Sequence, residues 1–137
     1  MENDNQVEVR LRNLAQSLAD GNISKIELLQ IPPDILTRTR ITPELLEKQF
    51  YHKLTFQHVR SSTSCGKLIT AMKTASVNPQ TGEADLRWGI LFYSDEGQRV
   101  GAIYLNARGT RGYVGDTSVS FTGGLFAWVD SAFSNWL

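Results

Sequence analysis

The sequence predicts an α+β fold, in which one antiparallel or mixed sheet of about five to six strands has helices packed mainly on one face. Three observations support this prediction. Apolar residues at helical spacing recur in the first half of the chain and again at the C-terminus. Apolar or alternating runs separated by short turn sequences fill residues 86–121. No internal repeat or linker interrupts the 137 residues, so we expect one globular domain over residues 1–137.

Helix and strand ends are well marked in the first half of the chain. Apolar residues step by four, three and four along one stripe before Gly21, and glycine commonly ends helices. Pro32-Pro33 stops the next apolar run, because proline cannot continue a strand ladder. Thr42 can cap a helix that has Pro43 in its first turn. The predicted elements are a helix over residues 4–20, a strand over 24–31, a helix from Thr42 to about Phe50, a strand over 51–59 with one wet face, and a helix over 62–76.

The second half predicts a four-strand antiparallel meander after a loop at residues 78–85. LRWGILFYS and RVGAIYLNA flank a turn sequence and form the first hairpin, and GYV and SVSF form the second. A strand that is apolar on both faces belongs in the middle of a sheet. The first of these strands is of that kind: Leu91 and Tyr93 lie on one face, and the other face carries Leu86, Trp88, Ile90 and Phe92. The aromatic, amphipathic stretch after Gly123 predicts a C-terminal helix that closes the core.

Composition argues against several classes of function. The chain has 14 basic and 14 acidic residues, eight of each in residues 1–60 and six of each in residues 61–137. A nucleic-acid-binding protein usually shows a basic excess or stripe, so we expect no nucleic-acid partner. The single Cys65 rules out a disulfide framework and a multi-cysteine zinc site. No apolar run spans a bilayer and the N-terminus is acidic, so we expect no membrane association and a cytoplasmic location.

The glycine-rich stretch LNARGTRGYVGD raises the question of a phosphate-binding loop. Such a loop needs backbone N–H groups followed directly by a helix, whereas Gly109 and Gly115 are followed by predicted strand. We therefore predict turns here, with Arg108 and Arg111 as exposed cations. Thr122, Gly123 and Gly124 lie immediately before the last helix, where they either cap it or receive an anion.

Histidine and cysteine do not form a recognisable metal or catalytic motif. His52 and His58 are six residues apart on a predicted strand, about 20 Å along it, which is too far for one metal ion. Cys65 lies on the apolar stripe of a predicted helix, where a free cysteine behaves as a small buried hydrophobe. We therefore expect no metal and no cofactor.

We expect a non-enzymatic protein-binding module. The most concrete hypothesis is an immunity or inhibitor protein that neutralises a partner such as a toxin, since that task needs only a stable scaffold and a complementary surface. Arginine and aromatic residues dominate interface energetics. The predicted contacts are Arg99, Arg108, Arg111, Tyr113, Asp116 and Trp128. Assembly into a homo-oligomer stays open.

Two alternative functions remain. A curved sheet over helices can hold a small apolar or anionic ligand, with Arg87, Thr122, Gly123 and Gly124 as polar contacts. The third hypothesis is an enzyme that uses His52 or His58 with Cys65. That enzyme requires a reactive thiol with a lowered pKa.

Overall fold

The computed structural model describes residues 6–57 and 63–136, and within them it confirms the α+β class with four helices and one antiparallel sheet of seven strands. The strand order across the sheet is β2-β1-β4-β5-β6-β7-β3. The elements in chain order are α1 Gln6–Ala19, β1 Ile23–Gln30, α2 Pro43–Gln49, β2 His52–Gln57, α3 Thr63–Thr74, β3 Ser76–Pro79, β4 Leu86–Ser94, β5 Arg99–Asn106, β6 Arg111–Val114, β7 Thr117–Thr122 and α4 Leu125–Trp136.

Strand β3 accounts for the difference from the predicted five to six strands. The predicted third helix ran to residue 76, but α3 ends at Thr74 and the chain enters β3 two residues later. Val77 in β3 is fully buried and lies opposite Phe121 of β7. Pro79 ends the strand at the edge of the sheet, where a missing N–H is tolerated. Burial of Val77 therefore favours a strand in a stretch whose composition is typical of a loop.

Three predicted end signals in the first half of the chain are confirmed: Gly21 after the first helix, the Thr42 cap, and the end of the first strand before the proline pair. Gly21 follows α1 with a φ of 83°, in the left-handed region. The Thr42 side chain accepts a hydrogen bond from the Leu45 N–H at 3.2 Å and caps α2, and Pro43 is the first residue of that helix. Strand β1 ends immediately before Ile31 and the two prolines.

Buried side chains form one cluster on each face of the sheet. The larger cluster joins α1, α3 and α4 to the face that carries Trp88, Ile90 and Phe92. Trp88 meets Phe126 of α4 edge-on, with ring centroids 5.8 Å apart. The smaller cluster, on the opposite face, surrounds Leu46 of α2. Strand β4 contributes to both clusters, as expected for a strand in the middle of a sheet.

One face assignment within β4 was wrong. Leu86 belongs to the smaller cluster with Leu91, not to the face of Trp88. The pairing with β5 shifts at this point, because Leu86 lies opposite Asn106 whereas Trp88 lies opposite Leu105. A β-bulge of this kind places one extra residue in the strand and reverses the alternation beyond it.

Candidate protein-binding surface

The loop between β1 and α2 presents the most exposed large apolar side chain of the described residues. Leu36 is 96% exposed. Arg38 and Arg40 follow it and are exposed as well. Tyr51, which is 58% exposed, donates its backbone N–H to the Gln30 carbonyl at 2.8 Å, at the end of β1 where this loop begins. We call Leu36, Arg38, Arg40 and Tyr51 the Leu36 surface.

Local hydrogen bonds give the loop a defined shape. The Ile35 N–H donates to the Pro32 carbonyl at 3.0 Å, which closes a turn one residue before Leu36. The Thr37 hydroxyl donates to the Thr39 carbonyl at 2.8 Å. These bonds on both sides of Leu36 restrict the backbone that carries it.

A buried arginine fastens this loop to the start of β4. Arg87 is 7% exposed, and its Nη1 donates to Asp85 Oδ1 and to the Leu86 carbonyl, each at 3.0 Å. Its Nη2 lies 3.5 Å from the Ile35 carbonyl within the loop. The same Asp85 oxygen accepts the Ile41 N–H at 2.7 Å, so one carboxylate connects Arg87 to the end of the loop.

We call these hydrogen bonds of Arg87 to Asp85 and to the Leu86 and Ile35 carbonyls the Arg87–Asp85 clamp. They limit which atoms of Arg87 can contact a ligand. Both Nη atoms bond to protein oxygens. Its Nε is buried and has no hydrogen-bond partner among the described residues. The buried Nε–H is therefore the edge of the guanidinium that these contacts leave unpaired. An ion pair between Arg40 and Glu83 further ties the loop to the segment before β4.

A second polar network attaches α2 to its face of the sheet. Glu47 of α2 accepts two hydrogen bonds from Arg99, at 2.9 and 2.8 Å, and one from the Tyr104 hydroxyl at 2.5 Å. Arg99 also donates to the Tyr93 hydroxyl at 3.3 Å, which itself donates to Glu27 at 3.1 Å. The network crosses from α2 to β5, β4 and β1.

The network perturbs the acidity of its members. Burial alone would raise the pKa of the Glu47 carboxyl, but hydrogen bonds from Arg99 and Tyr104 and the Arg99 charge outweigh burial and lower it. Burial and the hydrogen bond to Glu47 raise the pKa of the Tyr104 hydroxyl. The hydrogen bond to Glu47 raises the pKa of Arg99. Arg99 is therefore bound within the protein as a permanent cation.

The structure distributes the six predicted contact residues over several regions. Arg99 and Tyr113 lie on the face covered by α2, since Tyr113 pairs with Tyr104 across β5 and β6. Arg111, two residues from Tyr113 on β6, faces the same way and donates to the Thr81 carbonyl at 3.0 Å. Three of the six thus share one face, and Arg99 and Arg111 each have a partner within the chain.

The other three predicted contacts lie apart. Arg108 is exposed in the turn before β6, and Asp116 is exposed in the turn after β6, so the two stand at opposite ends of that strand. Trp128 is 9% exposed, and its ring meets Phe56 edge-on with centroids 6.3 Å apart. Trp128 therefore belongs to the core and is not an exposed aromatic anchor, because its position on α4 turns the ring toward the sheet.

The predicted anion site before α4 has the geometry of a helix start. Thr122, Gly123 and Gly124 are exposed, and the Trp128 N–H donates to the Gly124 carbonyl at 3.0 Å. Gly123 has a φ of 125° and stands close to Ala75, where a Cβ would lie 3.1 Å from the Ala75 Cα. The φ of 125°, which L side chains rarely adopt, and the close approach to the residue after α3 account for the glycine here.

A shallow groove of about 280 Å³ lies elsewhere, between α1 and the start of β5. Its lining residues are Arg10, Asn13, Leu14, Ser17 and Val100. This volume is at the lower limit of typical small-molecule pockets, which begin at about 300 Å³. None of the residues predicted to contact a ligand lines it.

The geometry of Cys65 does not suit a nucleophile. Cys65 is 6% exposed in α3, and burial raises the pKa of its thiol, the opposite of what thiolate chemistry requires. His52 begins β2, and His58 lies outside the described residues. Within residues 6–57 and 63–136, no three His, Cys, Asp or Glu side chains are grouped closely enough to hold a metal ion.

Sequence reasoning missed Leu36, Tyr51 and Glu47. A signal for Leu36 was present: PPDILTRTR has an apolar pair among turn formers and arginines, with no periodic partner.

None of the helices in the described part of the chain is long and apolar enough to cross a membrane. Comparisons with protein-family models, curated proteins and solved structures found no match to this chain.

Proposed function

We propose that this protein is a non-enzymatic protein-binding module, most concretely an immunity- or inhibitor-type protein that neutralises a partner such as a toxin. The observation that carries the proposal is Leu36, 96% exposed on a loop that a buried arginine holds in place. A leucine this exposed contributes almost nothing to folding by burial. We further propose that the protein acts in the cytoplasm, in keeping with its single cysteine.

Order in the loop favours binding. Association costs free energy when loops and side chains become fixed, and a loop already fixed avoids part of that cost. The Arg87–Asp85 clamp and the Arg40–Glu83 pair hold the Leu36 loop before any partner arrives. The chain therefore presents Leu36 in one geometry, as a specific interface requires.

Composition of the Leu36 surface indicates the chemistry of the partner. Leu36 fits a small apolar pocket, and Arg38 favours a carboxylate beside that pocket, whereas Arg40 is already paired with Glu83. Tyr51 supplies an aromatic side chain of the type enriched at interfaces. We therefore propose a partner whose binding site is an apolar pocket with an acidic rim. Arg108 and Asp116, both exposed in turns, remain candidate peripheral contacts.

The test compares wild-type protein with Leu36→Asp and with Val100→Asp as bait in lysate of the native cells. Val100 is a matched control because it is also exposed, at 50%, but lies on β5 away from this loop. We expect wild type and Val100→Asp to capture the same stoichiometric partner and Leu36→Asp to lose it. The purified partner's own activity should then fall when wild-type protein is added in equal amount.

Two outcomes would contradict the proposal. Capture of the same partner by Leu36→Asp would show that binding does not use this surface. A partner whose activity is unaffected by the wild-type protein would contradict the inhibitor function. Melting curves of both variants should match wild type, because each substitution alters an exposed side chain.

A further inference from the structure

The two edges of the sheet are built differently. β3 forms one edge; it is four residues long and ends on Pro79, a combination that blunts an edge against further pairing. β2 forms the other edge, with six residues, HKLTFQ, that include no proline or glycine. Its register with β1 runs without interruption from Lys25–Gln57 to Gln30–His52, so no bulge bends this edge away.

The outer side of β2 has unused pairing capacity. No strand among the described residues pairs there, so a row of backbone N–H and C=O groups along β2 lacks a ladder partner. The charge of Lys53 would ordinarily guard such an edge. Its Nζ lies 3.6 Å from Glu27 of the neighbouring strand β1, which draws that charge away from the outer side.

The side chains of β2 alternate between two kinds of surface. Leu54 and Phe56 are half-buried against the larger cluster, and Lys53, Thr55 and Gln57 are exposed on the other face. Leu54 and Phe56 thus end a core layer while keeping part of their surface open. A strand added beside β2 with the same alternation would cover that remaining apolar surface.

We propose that β2 pairs with β2 of a second copy of this chain, antiparallel about a two-fold axis at Thr55. In antiparallel pairs, residues directly opposite share a face, so the apolar pattern limits the register. With Thr55 opposite Thr55, Leu54 of each copy lies opposite Phe56 of the other. A register centred on Leu54 instead places His52 opposite Phe56 and is less well matched.

The charge pattern of β2 is compatible with a second copy as the occupant, because the strand carries one formal charge, at Lys53. In this register Lys53 of each copy lies opposite Gln57 of the other, and no like charges face each other. One strand therefore supplies both sides of a matched ladder, as a two-fold symmetric contact requires. The result is a continuous sheet across two copies.

The first test measures the monomer–dimer equilibrium by sedimentation velocity for charge variants at Gln57. Gln57→Glu places a negative charge opposite Lys53 at two cross-strand positions, one for each copy. It should lower the dimer Kd by between about 2-fold and about 30-fold. Gln57→Lys places two positive charges opposite each other at the same two positions and should raise the Kd over a similar range. The matched controls are Asn78→Glu and Asn78→Lys on the exposed side of β3, which should leave the Kd unchanged.

The second test fixes the register with single cysteines. Thr55→Cys places two thiols directly opposite each other, within reach of a disulfide, and should cross-link the dimer under mild oxidation. Gln57→Cys places its thiols about 14 Å apart along the ladder and should not cross-link. Both side chains are exposed, so folding should be preserved.

The following results would overturn the proposal. A protein that stays monomeric at all accessible concentrations, or a dimer whose Kd ignores both Gln57 variants, would exclude the β2 contact. A Kd that responds to Asn78 variants would assign the contact to β3. Cross-linking through Gln57→Cys and not Thr55→Cys would refute the register. A dimer that resists these changes while an unrelated protein pairs with β2 would assign the edge to a different partner.

Discussion

Replacing Gly109 with alanine tests how the turn before β6 packs on the last helix. Gly109 has a φ of 73°, so an alanine there costs about 1–2 kcal/mol for the left-handed conformation. Its Cβ would also lie 2.3 Å from the Phe126 Cβ and 2.6 Å from Cγ. Ordinary carbon–carbon contacts are about 3.5–4.0 Å, so the turn must move away from α4 by more than about 1 Å.

The expected loss of stability follows from these two costs. Overpacking of a well-packed contact typically costs about 1–3 kcal/mol, which gives about 2–5 kcal/mol in total for Gly109→Ala. Gly115→Ala is the matched control: its φ is 62°, but the nearest atom to its Cβ would be Arg10 Nη1 at 3.8 Å. Gly115→Ala should therefore cost about 1–2 kcal/mol, the conformational part alone.

Denaturant unfolding of wild type and both variants measures these costs as shifts in midpoint at unchanged slope. Gly109→Ala should lose more stability than Gly115→Ala by about 1–3 kcal/mol. Equal losses would refute the packing argument and would mean that the turn does not press on Phe126. A changed slope would instead report an altered compactness and would remove the basis of the comparison.

Two further predictions concern ionisable groups. Because the pKa of Glu47 is lowered on folding, its contribution to stability is present above the unfolded pKa of about 4.3 and is lost as the pH falls through the lower folded value. Glu47→Gln should therefore be less stable than wild type at neutral pH and lose less stability on acidification; parallel pH profiles would contradict this. Cys65, which is 6% exposed with a raised pKa, should react slowly with an alkylating reagent in the native protein and rapidly after unfolding. Rapid native labelling at neutral pH would return the Cys65 enzyme hypothesis to consideration.

The sequence predicted the features of the fold that depend on residues close together in the chain. The cap at Thr42, the helix end at Gly21 and the central position of β4 depend on neighbouring residues or on a continuous apolar run, so the sequence contains them. The β-bulge at Leu86 and strand β3 depend on pairing with distant strands. The spacing of apolar residues within one strand does not predict how that strand pairs with a distant one. For this reason Leu86 was assigned to the wrong face.

The same limit applies to the candidate site. Arg99 and Tyr113 were predicted as contacts because arginine and aromatic residues dominate interface energetics. Arg99, however, is hydrogen-bonded to Glu47, which is distant in sequence. Leu36 was not predicted as a contact. Its loop is held by Arg87, which is distant in sequence, and no residue near Leu36 indicates that interaction. Which arginines are free and which are committed depends on tertiary contacts alone.

The position of β3 has a consequence for the order of folding. Strands β4 to β7 follow one another along the chain and pair with their neighbours in turn, so each closes only a short loop. β3 precedes them in sequence but pairs with β7, so its ladder cannot form until the last strand of the meander is in place. We expect hydrogen exchange during refolding to protect β4 and β5 early and β3 late. β3 would then join the sheet only after β7, although it leaves the ribosome before β4 to β7.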